Sequence, residues 1–140
     1  MDAAAALADL TEISSQVEAA VILDDAGAVV ASTLADAERS ARLAQAALDL
    51  LGSADKRFES GGRALTQLEA ALREGSVFVA RAEGRTIVAT TSPEPTSGLV
   101  FYDLKTCLRS LAESKPKAKP ARSKRRSPKA ESSDKGAAGA

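Results

Sequence analysis

One stretch near the start of the chain decides the fold: Val17-Glu18-Ala19-Ala20-Val21-Ile22-Leu23-Asp24-Asp25-Ala26-Gly27-Ala28-Val29-Val30-Ala31-Ser32. Residues 17–23 alternate as a strand does and are apolar on both faces at the centre, which is typical of a central strand covered on both sides. Residues 24–27 predict a hairpin turn, in which Gly27 is able to adopt a positive φ angle. Residues 28–32 then predict the returning strand of the hairpin.

Helices are predicted on both sides of this hairpin. The apolar spacing of residues 3–13 indicates a helix with Asp2 as its cap. A second helix is predicted from a start signal at Thr33 or Asp36 to about Ser53. Both helices have small and aliphatic residues at helical spacing, so each has a side that packs against the sheet.

The second half of the chain predicts a three-strand meander and a last helix. Residues 65–72 fit either a helix or a strand, and the glycines on both sides favour a strand. Strands are predicted over residues 77–81 and 86–91. The last helix is predicted over residues 97–113, with an apolar stripe made by Val100, Phe101, Leu104, Cys107, Leu108 and Leu111.

The charges divide the 140-residue chain into an acidic body and a basic tail. Residues 1–114 hold 10 Lys and Arg against 17 Asp and Glu, a net charge of −7, whereas residues 115–140 hold 9 against 2, a net charge of +7. The tail contains no Val, Ile, Leu or aromatic residue, so it cannot bury enough apolar surface to offset the entropy of ordering. We therefore predict one folded domain over residues 1–114 and a disordered basic tail over 115–140.

The composition disfavours several kinds of functional site. The sequence has no histidine and only one cysteine, Cys107, which removes the commonest general base, the usual zinc ligand sets and any intramolecular disulfide. No glycine-rich nucleotide-binding motif occurs. The start of the chain lacks the basic residues of a signal peptide, and no window is long and apolar enough for a membrane span. We expect a cytoplasmic protein without enzymatic activity or cofactor.

The second helix is the most informative segment for function because it has two apolar stripes. The first holds Ala37, Ala41, Ala44, Leu48 and Leu51. The second, about 100° away by the helical period, holds Leu43, Ala47, Leu50 and Ala54. A helix on one side of its own sheet needs only one apolar stripe. The second stripe is therefore predicted to be a self-association or partner face, although alanines are also tolerated at half-exposed positions.

The order of the predicted elements resembles that of the Roadblock/dynein-light-chain family. The likeness lies in Leu7-x-x-Leu10-x-x-Ile13, in the hairpin from Ala20 to Ser32, and in Arg73-Glu74-Gly75-Ser76-Val77-Phe78-Val79-Ala80. It covers residues 1 to about 113. The family includes bacterial partner proteins of Ras-like small GTPases.

This resemblance implies a fold, an interface and a partner. The implied fold is an α-β-β-α-β-β-β-α sandwich, in which a five-stranded antiparallel sheet has the second helix on one face and the first and third helices on the other. The family pairs through the second helix and the third strand, which adds Leu68 and Ala70 to the predicted interface. The implied function is a non-catalytic homodimeric adaptor that binds and regulates a small Ras-like GTPase.

Three side chains outside this interface have competing interpretations. Cys107 lies within the apolar stripe of the last helix, so we predict a buried side chain rather than a reactive thiol. Arg39 and Arg42 are conceivable arginine fingers for a partner GTPase. Exposed helix arginines usually solvate a surface or pair with nearby acids such as Glu38 and Asp49, and we favour that interpretation.

The basic tail has several candidate partners. Its cations could contact nucleic-acid phosphates, anionic lipid head groups, or the acidic body of its own or another chain, or they could only keep the chain soluble. The alternative function is thus an anion-binding protein whose globular domain dimerises the tail. The contacts would come from Lys117, Lys119, Arg122, Lys124, Arg125, Arg126 and Lys129. A small-molecule sensor is a third hypothesis, which the Ala and Leu residues on both faces of the sheet disfavour.

Overall fold

The structure is a computed structural model that describes residues 2–58 and 65–113. Its elements follow the predicted order: α1 (Ala3–Ile13), β1 (Val17–Leu23), β2 (Val29–Ser32), α2 (Ala37–Phe58), β3 (Gln67–Ala71), β4 (Ser76–Ala82), β5 (Arg85–Thr91) and α3 (Ser97–Glu113). The ambiguous segment after α2 is a strand, as its flanking glycines favoured. The predicted disorder of residues 115–140 lies outside the described residues.

The ends of the elements coincide with capping and turn signals. Asp2 Oδ1 accepts a hydrogen bond from Ala5 N at 2.8 Å at the start of α1, and Asp36 Oδ1 accepts one from Glu38 N at 2.9 Å at the start of α2. In the β1–β2 turn, Asp24 Oδ1 accepts hydrogen bonds from two backbone amides, those of Ala26 and Ala28, both at 2.9 Å. Gly27 completes this turn with a φ of +88°.

The five strands form one antiparallel sheet in the order β2-β1-β5-β4-β3. Strand β1 lies inside the sheet, and its residues 19–23 are all buried, which confirms the covered central strand predicted from its two apolar faces. Strand β3 lies at one edge and pairs with β4 so that Leu68 is opposite Val79 and Ala70 is opposite Val77.

Each face of the sheet has its own hydrophobic core. On one face, α1 and α3 cover alternate residues of the central strands, among them Ile22, Phe78 and Ile87. Phe78 meets Phe101 of α3 edge to face, with ring centroids 5.0 Å apart. On the other face α2 covers Val21, Leu23, Val79 and Val88. This arrangement is the predicted five-stranded sandwich with α2 on one side and α1 and α3 on the other.

Candidate protein-interaction surface

Helix α2 approaches the sheet along one line of small and aliphatic side chains. Four of its residues are buried: Ser40, Ala44, Ala47 and Leu51. Their spacing of four, three and four residues keeps them on one side of the helix. Ser40 is accommodated because its hydroxyl lies 2.6 Å from that of Ser32 on β2 and donates to Asp36 O at 3.2 Å. The two alanines allow the helix backbone to lie close to the strands.

The structure corrects the predicted position of Ala47. We expected Ala47 on the second, outward stripe, but its side chain is fully buried and packs with Val21, Val79 and Val88. The line that faces the sheet runs between the two predicted stripes, since alternate steps of three and four residues follow the helical period. The sequence-based prediction passed over this line because it includes a serine. The possible pairing of Ser40 with Ser32 was the signal that could have found it.

The other predicted interface residues of α2 lie along one flank of the helix. Leu43, Leu50 and Ala54 are half-buried. The opposite flank faces the β1–β2 turn, where Leu48 Cδ1 would lie 3.1 Å from a Cβ built on Gly27. On the flank with Leu43, Leu50 and Ala54, Leu43 lies beside Ala19 of β1 and Thr90 of β5.

The two predicted residues of β3 lie on the same side of the sheet as α2. Leu68 and Ala70 pair in register with Val79 and Val77, and paired residues project from the same face of a sheet. Leu68 and Val77 contact the core beneath α2, yet both are only half-buried, as is Ala70. Six half-buried apolar residues therefore lie on the side of the sheet that α2 covers, and we term them the α2–β3 face: Leu43, Leu50, Ala54, Leu68, Ala70 and Val77.

A free strand edge adjoins the α2–β3 face. Among the described residues, β3 pairs only with β4, so its outer backbone groups have no strand partner. Such an edge is a template for pairing with another chain. The opposite side of β3 is tied to α3, because Ser97 Oγ donates a hydrogen bond to Glu69 Oε2 at 3.0 Å. The α2–β3 face is therefore held in position by the rest of the fold.

An ion pair fixes the C-terminal half of α2 relative to the sheet. Arg81 of β4 donates to both carboxylate oxygens of Asp55, at 3.0 and 2.9 Å, and its Nε donates to Leu65 O at 2.8 Å. The hydrogen bonds from Arg81 hold the pKa of Asp55 below its usual value. Sequence reasoning missed this pair because its members are 26 residues apart. Beside it lies an open groove of about 500 Å³ between α2 and the end of the sheet, lined in part by Asp24, Leu48 and Arg85.

Residues 4–92 match the model of the Roadblock/LC7 domain. The chain belongs to the Roadblock/LC7 family. None of the curated proteins matches it in sequence. The Roadblock sequence match spans α1 to the end of β5 and so contains every residue of the α2–β3 face.

Solved structures with the same fold include several Roadblock proteins. A Roadblock/LC7 domain from Streptomyces avermitilis is 20% identical, with a TM-score of 0.70, and the match covers 81% of this chain and 97% of that one. The gliding protein MglB from Thermus thermophilus is 17% identical, with a TM-score of 0.66 and coverage of 79% and 86%. An MglB with a tetrameric arrangement is also 17% identical, with a TM-score of 0.58 and coverage of 79% and 85%. At these identities the likeness establishes the fold.

The single thiol of this Roadblock domain is buried, as predicted. Cys107 is 5% exposed in the core between α1 and α3, and its Sγ donates a weak hydrogen bond to Ala6 O at 3.5 Å. Burial raises the pKa of Cys107 to about 11, and the negative charge of Asp9 adds to the effect. A thiol in this position is a poor nucleophile.

The two arginines considered as possible fingers both lie at the surface of α2. Arg42 approaches Glu38 at 3.9 Å with both side chains mostly exposed, so this pair adds little to stability. Arg39 is exposed as well. Both positions agree with arginines that solvate a helix surface.

Two further observations concern membranes and the tail. Within residues 2–58 and 65–113, no helix has the length and apolar character needed to cross a bilayer. The predicted anion contacts, from Lys117 to Lys129, all lie beyond the described residues.

Proposed function

We propose that this Roadblock domain is a non-catalytic, cytoplasmic, homodimeric adaptor that binds a small Ras-like GTPase. The observation that carries the proposal is the α2–β3 face. In one protomer it leaves three leucines and a valine half-exposed beside a free strand edge. Burying apolar surface stabilises an association by about 25 cal/mol per Å² before the costs of binding are subtracted.

Self-association through this face is supported by its shape and chemistry. Ala54 and Ala70 are small, so a second copy of α2 could approach closely beside the β3 edge. In a two-fold dimer the same surface serves both partners, which requires it to be self-complementary, as an apolar surface is. The tetrameric arrangement described for one MglB shows that this fold occurs in assemblies.

A small GTPase is proposed as the partner because the chain belongs to the Roadblock family and resembles its bacterial GTPase-binding members. The outer side of α2, with Glu38, Arg42, Gln45 and Asp49, offers exposed polar groups for such a contact. An adaptor role, rather than a catalytic one, is supported by the absence of histidine from the sequence and by the raised pKa of its only thiol.

The dimer is tested by placing a charge on the α2–β3 face. Leu50→Glu should convert the full chain from a dimer to a folded monomer, because the glutamate would be buried unpaired in the interface. Gln45→Glu, on the polar side of the same helix, is the matched control and should remain dimeric. Light scattering after size-exclusion chromatography measures both, and circular dichroism verifies folding. A monomeric wild type at tens of micromolar would refute the dimer.

The GTPase is tested with purified proteins. Candidate Ras-like GTPases would be recovered with the full chain as bait and identified by mass spectrometry. Each would then be loaded with GDP or a non-hydrolysable GTP analogue and titrated by calorimetry. The proposal expects saturable binding by at least one GTPase in one nucleotide state. If no small GTPase binds in either state, the partner assignment is wrong.

The alternative function, anion binding through the tail, is favoured by the net charge of +7 in residues 115–140. If it is correct, the full chain should bind duplex DNA or anionic vesicles with an affinity that falls steeply with salt, because each neutralised phosphate releases a counterion. Fluorescence anisotropy in a salt titration measures this affinity. Binding that does not respond to salt would assign the contact to the folded body instead.

A further inference from the structure

The side of the molecule opposite α2 has a cavity that the proposed adaptor function does not use. It lies between α1 and α3, has a volume of about 140 Å³, and is lined in part by Asp9, Leu10, Ile13, Tyr102, Asp103 and Thr106. We term it the α1–α3 groove. Its rim is apolar, since Ile13 is 68% exposed and Tyr102 is 63% exposed.

Two polar side chains of this groove, Asp103 and Thr106, have no side-chain hydrogen bond within the described part of the chain. Asp103 is only 8% exposed, and within residues 2–58 and 65–113 its carboxylate has neither a hydrogen bond nor an ion pair. Thr106 Oγ1 is buried and has no hydrogen-bond partner among the same residues. Buried polar groups in native proteins are nearly always satisfied, so the Thr106 hydroxyl is an exception, whereas the Asp103 carboxylate oxygens remain accessible from the groove. These two residues therefore leave room for a further polar partner in the groove.

The chemistry of the groove selects a cation. Asp9 is a second carboxylate on its lining, and the lining includes no Lys or Arg, since Lys105 and Arg109 of α3 lie outside it. Two carboxylates and one hydroxyl are fewer oxygens than the six to eight that calcium prefers. A lysine or arginine side chain fits better, since its aliphatic stem can lie along Ile13 and its charge can lie over the ring of Tyr102.

We propose that the basic segment of the same chain, residues 115–122, docks in the α1–α3 groove and places a Lys or Arg against Asp103 and Asp9. The described chain ends at Glu113 of α3, ten residues after Asp103, which is about 15 Å along a helix. Lys117, Lys119 and Arg122 follow Glu113 by four to nine residues, and an extended chain of that length reaches about 13 to 30 Å.

The tail segment and the groove have complementary charges. The segment supplies cations without Val, Ile, Leu or aromatic side chains, and the groove supplies carboxylates with an exposed apolar rim. Docking within the chain would withhold Lys117, Lys119 and Arg122 from other anions. The basic tail would then act first as a ligand of its own domain, and this inference does not depend on the dimer or on the GTPase.

The first test changes only the tail. In the full chain, Lys117→Gln, Lys119→Gln and Arg122→Gln are combined, and ¹⁵N–¹H spectra are compared with those of the wild type. The amide signals of Asp9, Asp103 and Thr106 should shift, while those of α2 stay in place. The matched control combines Arg125→Gln, Arg126→Gln and Lys129→Gln, which removes the same charge and should leave the groove signals unshifted. Unshifted groove signals in the first variant, or equal shifts in both, would overturn the proposal.

The second test changes only the body. In the wild type, added salt should shift the amide signals of Lys117 and Lys119, because salt weakens the contact with the groove. The double variant Asp9→Asn, Asp103→Asn should abolish this shift. The control Asp25→Asn, Asp49→Asn removes the same charge outside the groove and should preserve it. Loss of the shift in both variants would indicate diffuse attraction and would refute a specific site. Wild-type signals must also be independent of protein concentration, because a dependence would place the tail on another copy. If the Asp103 variant does not fold, the tail variants alone decide.

Discussion

The two faces of the sheet are packed differently. On the α1/α3 face, fourteen of the described residues form a buried cluster that includes large side chains such as Phe78, Ile22 and Leu104. On the α2 face, seven form the cluster, and the helix contributes only Ala44, Ala47 and Leu51 to it. Two helices cover the α1/α3 face. A single helix covers the other face, and it leaves the residues of the α2–β3 face half-exposed. The first face mainly stabilises the protomer, and the second has apolar surface left for a partner.

The largest expected effect comes from truncating one large residue on each face. Phe78→Ala should lower the free energy of unfolding by about 3–5 kcal/mol, because it leaves a cavity in the α1/α3 core. Leu68→Ala on the α2–β3 face should cost about 1 kcal/mol in the protomer, since part of this side chain is already exposed. Urea denaturation measures both.

The same pair of variants can refine the comparison. A Leu68→Ala cost that increases with protein concentration would show that the residue is buried in a dimer, because association adds stability by mass action. Equal costs for Phe78→Ala and Leu68→Ala at low concentration would contradict the difference between the faces.

A second prediction compares thiols on the two faces. With its pKa raised from 9.0 to about 11, Cys107 should react with a thiol reagent at pH 8 about 100-fold more slowly than an unperturbed thiol, because a smaller fraction is thiolate. Burial slows the reaction further. The comparison is a Cys107→Ala chain carrying Ala54→Cys, which should react rapidly as a monomer and slowly as a dimer. Rapid, stoichiometric labelling of folded wild type would contradict the position of α3.

The smallest expected effect concerns the ion pair that fixes α2. Because folding lowers the pKa of Asp55 from its ordinary value of 3.8, the pair stabilises the fold at pH values above that value. The contribution is lost as the pH falls through the lower, folded pKa. Asp55→Asn should therefore destabilise the protein near neutral pH and flatten the dependence of stability on pH below about 4. Thermal melts from pH 2 to 7 measure this, with Asp49→Asn as the control. Parallel curves for the wild type and Asp55→Asn would refute a role for the pair.

Much of the fold was predictable because local signals agreed with one another. The alternation in β1, the Asp24 and Gly27 turn and the cap at Asp36 all depend on residues close in the chain. Strand β3 was predicted less firmly, because Leu65, Leu68 and Leu72 fit a helical spacing, whereas Leu68, Ala70 and Leu72 fit the alternation of a strand. Its pairing with Val79 and Val77 of β4 decided the outcome.

The candidate interface was predictable only in part. Leu43, Leu50 and Ala54 do lie on a flank of α2 that is not fully covered, and Leu68 and Ala70 lie on the same side of the sheet. Ala47 does not belong with them, because the line that contacts the sheet depends on the rotation of the helix about its axis. That rotation is set by packing on Val21 and Val88 and by the pairing of Ser40 with Ser32.

The sequence by itself determined the order of the elements, the doubly covered central strand, the buried thiol and the separation of an acidic body from a basic tail. Each follows from periodicity, turn chemistry or composition, which are properties of neighbouring residues. Only the tertiary structure decided which side of α2 is buried, that Arg81 pairs with Asp55 across 26 residues, and that Asp103 of α3 lines a groove beside α1. These features arise where distant segments meet, and the spacing of residues along one chain does not encode the distances between such segments.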